Sequence, residues 1–245
     1  NKAFFCNNVN PIFYYDGNLI QYHPTNLSVQ VVTAVSGVPP YDISKTLHLT
    51  ADRFRLILLS PTVENVPQNA AAYWSVVLNP LDFTNDEQVY AATSQPIRTF
   101  SFINSDIVVR FSNSERVLRY TGDENQPFRW DKTNNAWQCD APYTAVNYDS
   151  YYTSVGKPAI VASDGVNVKR ADEIIPDFTD PYRLVQDLPV PFMNQTSIQQ
   201  CYGERFDDIK EGWICYNSSP NTESTTTASD NVLSFNYFDN TYAVS

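Results

Sequence analysis

Ile107-Val108-Val109-Arg110-Phe111-Ser112-Asn113-Ser114-Glu115-Arg116-Val117-Leu118-Arg119-Tyr120 sets two apolar-rich runs on either side of the turn-prone quartet Ser112 to Glu115. Such a pattern reads as a β-hairpin. Two Asp-Gly pairs extend the theme in both directions. Asp16-Gly17 separates Ile12 to Tyr15 from Leu19 to Tyr22, and Asp164-Gly165 separates Ala159 to Ala162 from Val166 to Val168. Asp-Gly supplies the positive φ angles of a tight hairpin turn, so two more hairpins are expected there. A fourth is expected through Thr133, Asn134 and Asn135, which would set Trp130 and Trp137 on facing strands.

Further strand candidates are Leu27 to Val35, Lys45 to Thr50, Phe54 to Leu59, Tyr73 to Leu78, Glu87 to Thr93, Ile97 to Ile103, Trp213 to Tyr216 and Val232 to Phe238. Their spacing of about 8 to 14 residues is that of an antiparallel β-sandwich or β-barrel. Strands do not alternate with long amphipathic segments, which argues against a parallel α/β sheet. A short helix around Tyr182 to Asp187 competes with prolines at 176, 181, 189 and 191, which favour an irregular excursion. The expected fold is therefore all-β with long loops and little helix, and 245 residues fit one such domain. No repeat marks a propeller or solenoid.

Composition points the same way. The chain holds 34 aromatic residues (16 Tyr, 14 Phe, 4 Trp) beside two His and one Met. Aromatic residues suit half-buried pleated surfaces, whereas His is the commonest worker in acid/base and metal chemistry. A net charge of −11 repels phosphate and anionic headgroups, so neither nucleic acid nor a membrane surface is an expected partner. No apolar run approaches the ~20 residues of a membrane span. A start at Asn1 reads as an excised or processed piece of a larger protein. Cys6, Cys139, Cys201 and Cys215 are too scattered for a disulfide framework and read as buried or half-buried thiols. If one bridge forms, Cys201 and Cys215 are its expected partners.

The search for reactive groups yields mainly absences. There is no Gly-x-Ser-x-Gly elbow, His-Glu-x-x-His, phosphate loop or dinucleotide fingerprint. His48, in Thr46-Leu47-His48-Leu49-Thr50, shares a face with the threonines and reads as solvent-facing or loop-packed; His23 precedes Pro24 in a turn. Asp177 and Asp180, or Asp207, Asp208 and Glu211, are formal candidates for a glycosidase pair, but read as solvated acidic loops. Asp82, Asp86 and Glu87 lack the ligand spacing of a calcium loop. No catalytic residue, cofactor or metal is expected. Sequons occur at Asn26, Asn194 and Asn217.

The positive signal is aromatic. Gln138 to Lys157 and Ile174 to Gln200 read as long irregular segments, and Asn217 to Asp230 as a flexible polar loop. In the first of these, Tyr143, Tyr148, Tyr151 and Tyr152 stand beside Asn147 and Asp149. Flat apolar faces combined with hydrogen-bonding groups suit sugar rings and protein hot spots. Tyr143, Tyr148, Asp149, Tyr151 and Tyr152 are the candidate ligand-contacting residues.

The blocks Tyr41-Asp42-Ile43-Ser44-Lys45-Thr46-Leu47-His48-Leu49-Thr50, Arg53 to Thr62 ending in Leu59-Ser60-Pro61-Thr62, Tyr73-Trp74-Ser75-Val76-Val77-Leu78-Asn79-Pro80 and Ile107-Val108-Val109-Arg110 resemble, in that order, the projecting spike domain of an astrovirus capsid. The Ser-Pro-Thr and Tyr-Trp blocks are also similar to the galectin-like head of the rotavirus outer spike. The astrovirus resemblance covers roughly the first half of the chain. It implies a β-barrel-like spike, dimeric, on the exterior of a virion assembled in the host cytoplasm, contacting a host-cell receptor and targeted by neutralising antibodies. The family's acidic precursor tail is absent. A competing expectation is a secreted carbohydrate-binding module or a glycan-active enzyme on a β-sandwich.

Overall fold

The computed structural model describes residues 3–9, 12–15, 30–31, 43–83, 88–134, 137–157, 159–172, 192–194, 197–219, 229 and 231–244. The chain is all-β and antiparallel, as the alternation predicts. Helical content among the described residues is confined to short 3-10 turns such as Ile198–Gln200. Every strand path among them is open, so no sheet closes into a barrel. The chain forms two compact units, residues 1–97 with 122–127 and residues 98–121 with 128–245.

The first unit holds β1 (Ala3–Phe5), β2 (Phe13–Tyr15) and β3 (Gln30–Val31) in one sheet. A second sheet holds β4 (Ile43–Asp52), β5 (Arg55–Val63), β6 (Val66–Pro67), β7 (Ala71–Trp74) and β8 (Gln88–Tyr90). Ile12 and Tyr14 share a core with Ile43, Leu56, Leu58 and Tyr73, against which the half-buried Leu49 also packs. Leu56 to Leu59 are all buried, so β5 is covered on both faces and reads as a continuous apolar run. His48 stands opposite Leu59 and is buried beside Thr46, whose hydroxyl donates to the carbonyls of His48 and Leu59, both at 2.9 Å. Of the two expectations for His48, solvent-facing or loop-packed, its burial removes the first. The expected hairpin at Asp16-Gly17, the strand from Leu27 outside Gln30–Val31, the helix near Tyr182, His23, Asp86, Asp177, Asp180 and Asn26 lie outside the described residues.

The second unit uses one supersecondary unit three times, although no sequence repeat marks it. The first four-stranded sheet is β9 (Ile97–Ile103), β10 (Asp106–Phe111), β11 (Glu115–Tyr120) and β12 (Phe128–Asn134). The second is β13 (Val146–Asn147), β14 (Tyr152–Val155), β15 (Ile160–Ser163) and β16 (Val168–Arg170). A two-stranded pair, β17 (Phe192–Met193) with β20 (Ser218–Ser219), flanks the third sheet, β18 (Tyr202–Phe206), β19 (Glu211–Tyr216), β21 (Asn231–Asn236) and β22 (Thr241–Val244). Ile103, Val108 and Val117 of the first sheet pack on Tyr152 of the second. Val155 and Ile160, on the other face of that second sheet, pack on Ile214, Tyr216 and Leu233 of the third. Sheets therefore stack face to face in the sandwich manner, and all eight residues of β14 and β15 are buried.

The 107–120 hairpin forms with Val108 opposite Val117 and Arg110 opposite Glu115. Glu115, read as a turn residue, instead opens β11 and has no exposed surface. It meets Arg110 at 3.7 Å and accepts hydrogen bonds from Tyr152 Oη at 2.7 Å and Ser163 Oγ at 2.8 Å. The Asp164-Gly165 hairpin forms as expected, with Gly165 at φ 84°. The expected hairpin at 133–135 does not pair Trp130 with Trp137. Trp130 stands opposite Leu118, and Trp137, at φ 68° and partly exposed, offers its carbonyl to Arg110 Nη2 at 2.7 Å. The segment 138–157, expected to be irregular, contributes two short strands.

Strand register also bears on the cysteines, all four of which are free thiols. Cys215 stands opposite Tyr202, while Cys201 packs with Ile214 and Tyr216 in the core on the other face of β19. Alternate residues of a strand point to opposite faces, so the two thiols do not face each other as a bridge requires. Burial pushes the Cys139 thiol up to about 11, and burial with the neighbouring Cys215 pushes Cys201 up to about 12. The expected outcome of a thiol titration is four reactive groups per chain after denaturation without reductant. In the native protein Cys139, Cys201 and Cys215 stay silent. Fewer than four in the denatured chain would mean a bridge.

Candidate functional site

Three hairpin tips gather at one end of the second unit: residues 148–151 between β13 and β14, 207–210 between β18 and β19, and 237–240 between β21 and β22. Arg205 ties them together. Its Nη1 donates to the Asn147 carbonyl at 3.0 Å, its Nη2 to Asp149 Oδ2 at 3.0 Å and its Nε to Asp207 Oδ1 at 2.7 Å. Its guanidinium lies 5.1 Å from the centre of the Tyr237 ring, whose hydroxyl donates to the same Asp207 oxygen. The hydrogen bond from Arg205 holds the exposed Asp149 carboxyl below the usual carboxylate range. Asp149 also adopts φ 69°, a conformation that Asp tolerates better than bulky residues do.

Behind the tips lies a cluster of five rings. Tyr148 stacks on Tyr151 (centroids 4.9 Å apart), meets Phe235 edge-on at 5.7 Å and packs on Tyr237 at 5.2 Å. Phe235 in turn stacks on Tyr242 at 4.7 Å. Geometries of this kind contribute about 0.5–1.5 kcal/mol per pair beyond the area they bury. Burial pushes the Tyr148, Tyr151 and Tyr242 phenols up, so all three are neutral at physiological pH. The Tyr242 hydroxyl donates to the Ala171 carbonyl at 2.9 Å, which pins that ring.

Tyr151, Phe235 and Tyr242 wall a cleft of about 730 Å³ between the second and third sheets of this unit. Its floor is the face of the second sheet that is turned toward the third. Thr153, Ala162, Lys169 and Ala171 line it, and Ala162 stands opposite Lys169 in the β15–β16 register. Small side chains at these positions leave a gap that Val155 and Ile160 fill farther along the same face. Ser150, Ser163, Asp164, Asn167, Arg170 and Asn240 complete the lining. Asp164 is committed to its own turn, accepting from the backbone nitrogens of Val166 at 2.9 Å and Asn167 at 2.7 Å; these bonds hold its carboxyl below the usual range. The volume lies within the roughly 300–1,000 Å³ typical of ligand sites.

The five residues singled out in the sequence separate in space. Tyr151 lines the cleft, Tyr148 supports it from behind at 7% exposure, and Asp149 lines a separate polar depression with Asn147, Glu204 and Arg205. Tyr143 is exposed and bridges to Tyr202. Tyr152 is a core residue with no exposed surface, its hydroxyl donated to Glu115, and it faces away from the cleft. Phe235, Tyr242, Lys169 and Arg205 were not singled out. The Phe235-x-Tyr237 alternation within a strand was the available signal for the aromatic part. Of the acidic candidates, Asp207 is held by Arg205 and Tyr237, and Glu211 accepts from Trp213 Nε1 at 2.7 Å. Asn217 is buried, with its amide donating to Gln200, so the folded chain does not present that sequon.

Among the described residues no group of three or more His, Cys, Asp or Glu is placed to hold a metal, and no helix is long and apolar enough to cross a membrane. No family model matches the chain, and no curated protein matches it. Among solved structures it is similar to a Bacteroides fragilis protein named as exported. The identity is 8% and the TM-score 0.47, over 100% of this chain and 68% of the other.

Proposed function

We propose that this chain is a recognition module that works by surface complementarity, displayed on the exterior of a non-enveloped virus as an attachment spike of the astrovirus type. The cleft walled by Tyr151, Phe235 and Tyr242 carries the proposal. Rigid aromatic walls backed by a second layer of rings, with polar side chains at the rim, give a preorganised surface that binds without chemical turnover. The sequence blocks from Tyr41 onward supply the capsid-spike half of the reading, and a spike of this kind is a homodimer and an antibody target. A secreted carbohydrate-binding module would use the same cleft and differ in where the chain is displayed.

Labelled soluble chain is expected to bind a panel of cultured epithelial lines saturably and to be displaced by unlabelled chain. Tyr151→Ala, which removes a wall without opening a core, is expected to weaken that binding at least tenfold. Absence of saturable binding across the panel would end the attachment reading. Sedimentation at micromolar concentration is expected to give a dimer, and monomer alone would count against the spike.

A further inference from the structure

We propose that the cleft takes an anionic oligosaccharide, with the apolar faces of its sugar rings against Tyr151, Phe235 and Tyr242 and its acidic group at Lys169. This rests on the reading of the chain as a recognition module. Charge distribution carries the added step. The protein as a whole is −11, yet the cleft is lined by two cations, Lys169 and Arg170, against the single carboxylate of Asp164. That carboxylate is turned into its own hairpin, where two backbone nitrogens and the Asn167 amide occupy it. Arg170 is engaged as well, its Nε donating at 2.6 Å to Asp172, which has no exposed surface. Among the described residues Lys169 is the cleft's uncommitted charge, and its register opposite Ala162 puts it on the cleft-facing side of β16.

The three kinds of lining disfavour other ligands. On this floor β14 and β15 are paired on both sides, which leaves an extended apolar peptide only the three-residue edge strand β16 among the described residues. A free inorganic anion would leave the aromatic walls without a contact. A ring that is apolar on its faces and hydroxylated around its edge matches both the walls and the polar rim of Ser150, Asn167 and Asn240. A carboxylate or sulfate on that ring matches Lys169.

The test uses the intact 245-residue chain and three probes of similar length: tetragalacturonate, its methyl ester and a sulfated galactan tetrasaccharide. Calorimetry or ligand-observed NMR at low salt is expected to show tetragalacturonate binding roughly tenfold more tightly than its methyl ester, a gap that narrows as salt rises. Lys169→Ala, at an exposed strand position, is expected to bring tetragalacturonate down to the ester's level while leaving the ester unchanged. Tyr151→Ala is expected to weaken both. Binding of the sulfated probe at or above the level of tetragalacturonate would support an anionic ligand and identify sulfate as its source. Equal binding of acid and ester, or an unaltered Lys169→Ala, would overturn the inference. If none of the three bound at millimolar concentration while the chain still bound cells through Tyr151, the anionic sugar would be eliminated and the recognition module would stand. Loss of cell binding as well would remove both.

Discussion

Glu115→Ala is expected to lower the unfolding free energy by about 3–5 kcal/mol, which for a chain of this length lowers the melting midpoint by roughly 6–20 °C. Glu115 and Arg110 have no solvent-accessible side-chain surface. Among the described residues, removing the carboxylate leaves the buried guanidinium with only the Trp137 carbonyl as hydrogen-bond acceptor. It also orphans the hydroxyls of Tyr152 and Ser163, which donate to the same carboxylate from the second sheet. Tyr152→Phe removes one of these donors and is expected to cost less, about 1–3 kcal/mol. The double replacement Arg110→Met with Glu115→Leu removes both charges and is expected to recover most of the loss. Chemical denaturation of the four proteins checks the series. A loss below about 1 kcal/mol for Glu115→Ala would mean that the pair is hydrated.

Gly212→Ala is expected to damage the cleft without touching any ligand. A Cβ at Gly212 would overlap the Tyr148 hydroxyl and lie 2.8 Å from the ring carbon that bears it. Tyr148 is held between Tyr151, Phe235 and Tyr237, so its ring has no free direction in which to retreat. Overpacking of this kind costs about 1–3 kcal/mol, and the displaced ring carries the Tyr151 wall with it. Near-ultraviolet circular dichroism from the tyrosine cluster is expected to fall, together with cell binding. Adding Tyr148→Phe to Gly212→Ala removes the overlapping oxygen and is expected to restore part of both. If Gly212→Ala left the spectrum and the binding unchanged, Tyr148 would not be the support described above.

The strand pattern was largely legible because it is local. The alternation of Ile97 to Ile103 appears as alternating buried and half-buried positions over the same seven residues. Asp164-Gly165 forms its turn because the Asp side chain and the Gly φ act within four residues. Glu115 was misread for the complementary reason. A carboxylate beside Ser and Asn resembles a turn, and the groups that make its burial tolerable stand at 152 and 163, on another sheet. Half of the cleft was legible for the same reason that half was hidden. The Tyr148–Tyr152 cluster stands out in the chain, but the rings that complete the cluster and the arginine that ties the hairpin tips come from 235, 237, 242 and 205. No periodicity announces which distant aromatic residues will meet.

The second sheet of the larger unit, with β14 and β15 buried on both faces, has a thermodynamic consequence. The two cores it separates share one wall, so neither can melt while the other stays intact. This unit therefore unfolds as one cooperative block, and amide hydrogens of Thr153 to Val155 exchange only when that whole block opens. Thr153 and Ala162 belong to that block and also form the floor of the cleft. Recognition is thus tied to the part of the molecule that opens last.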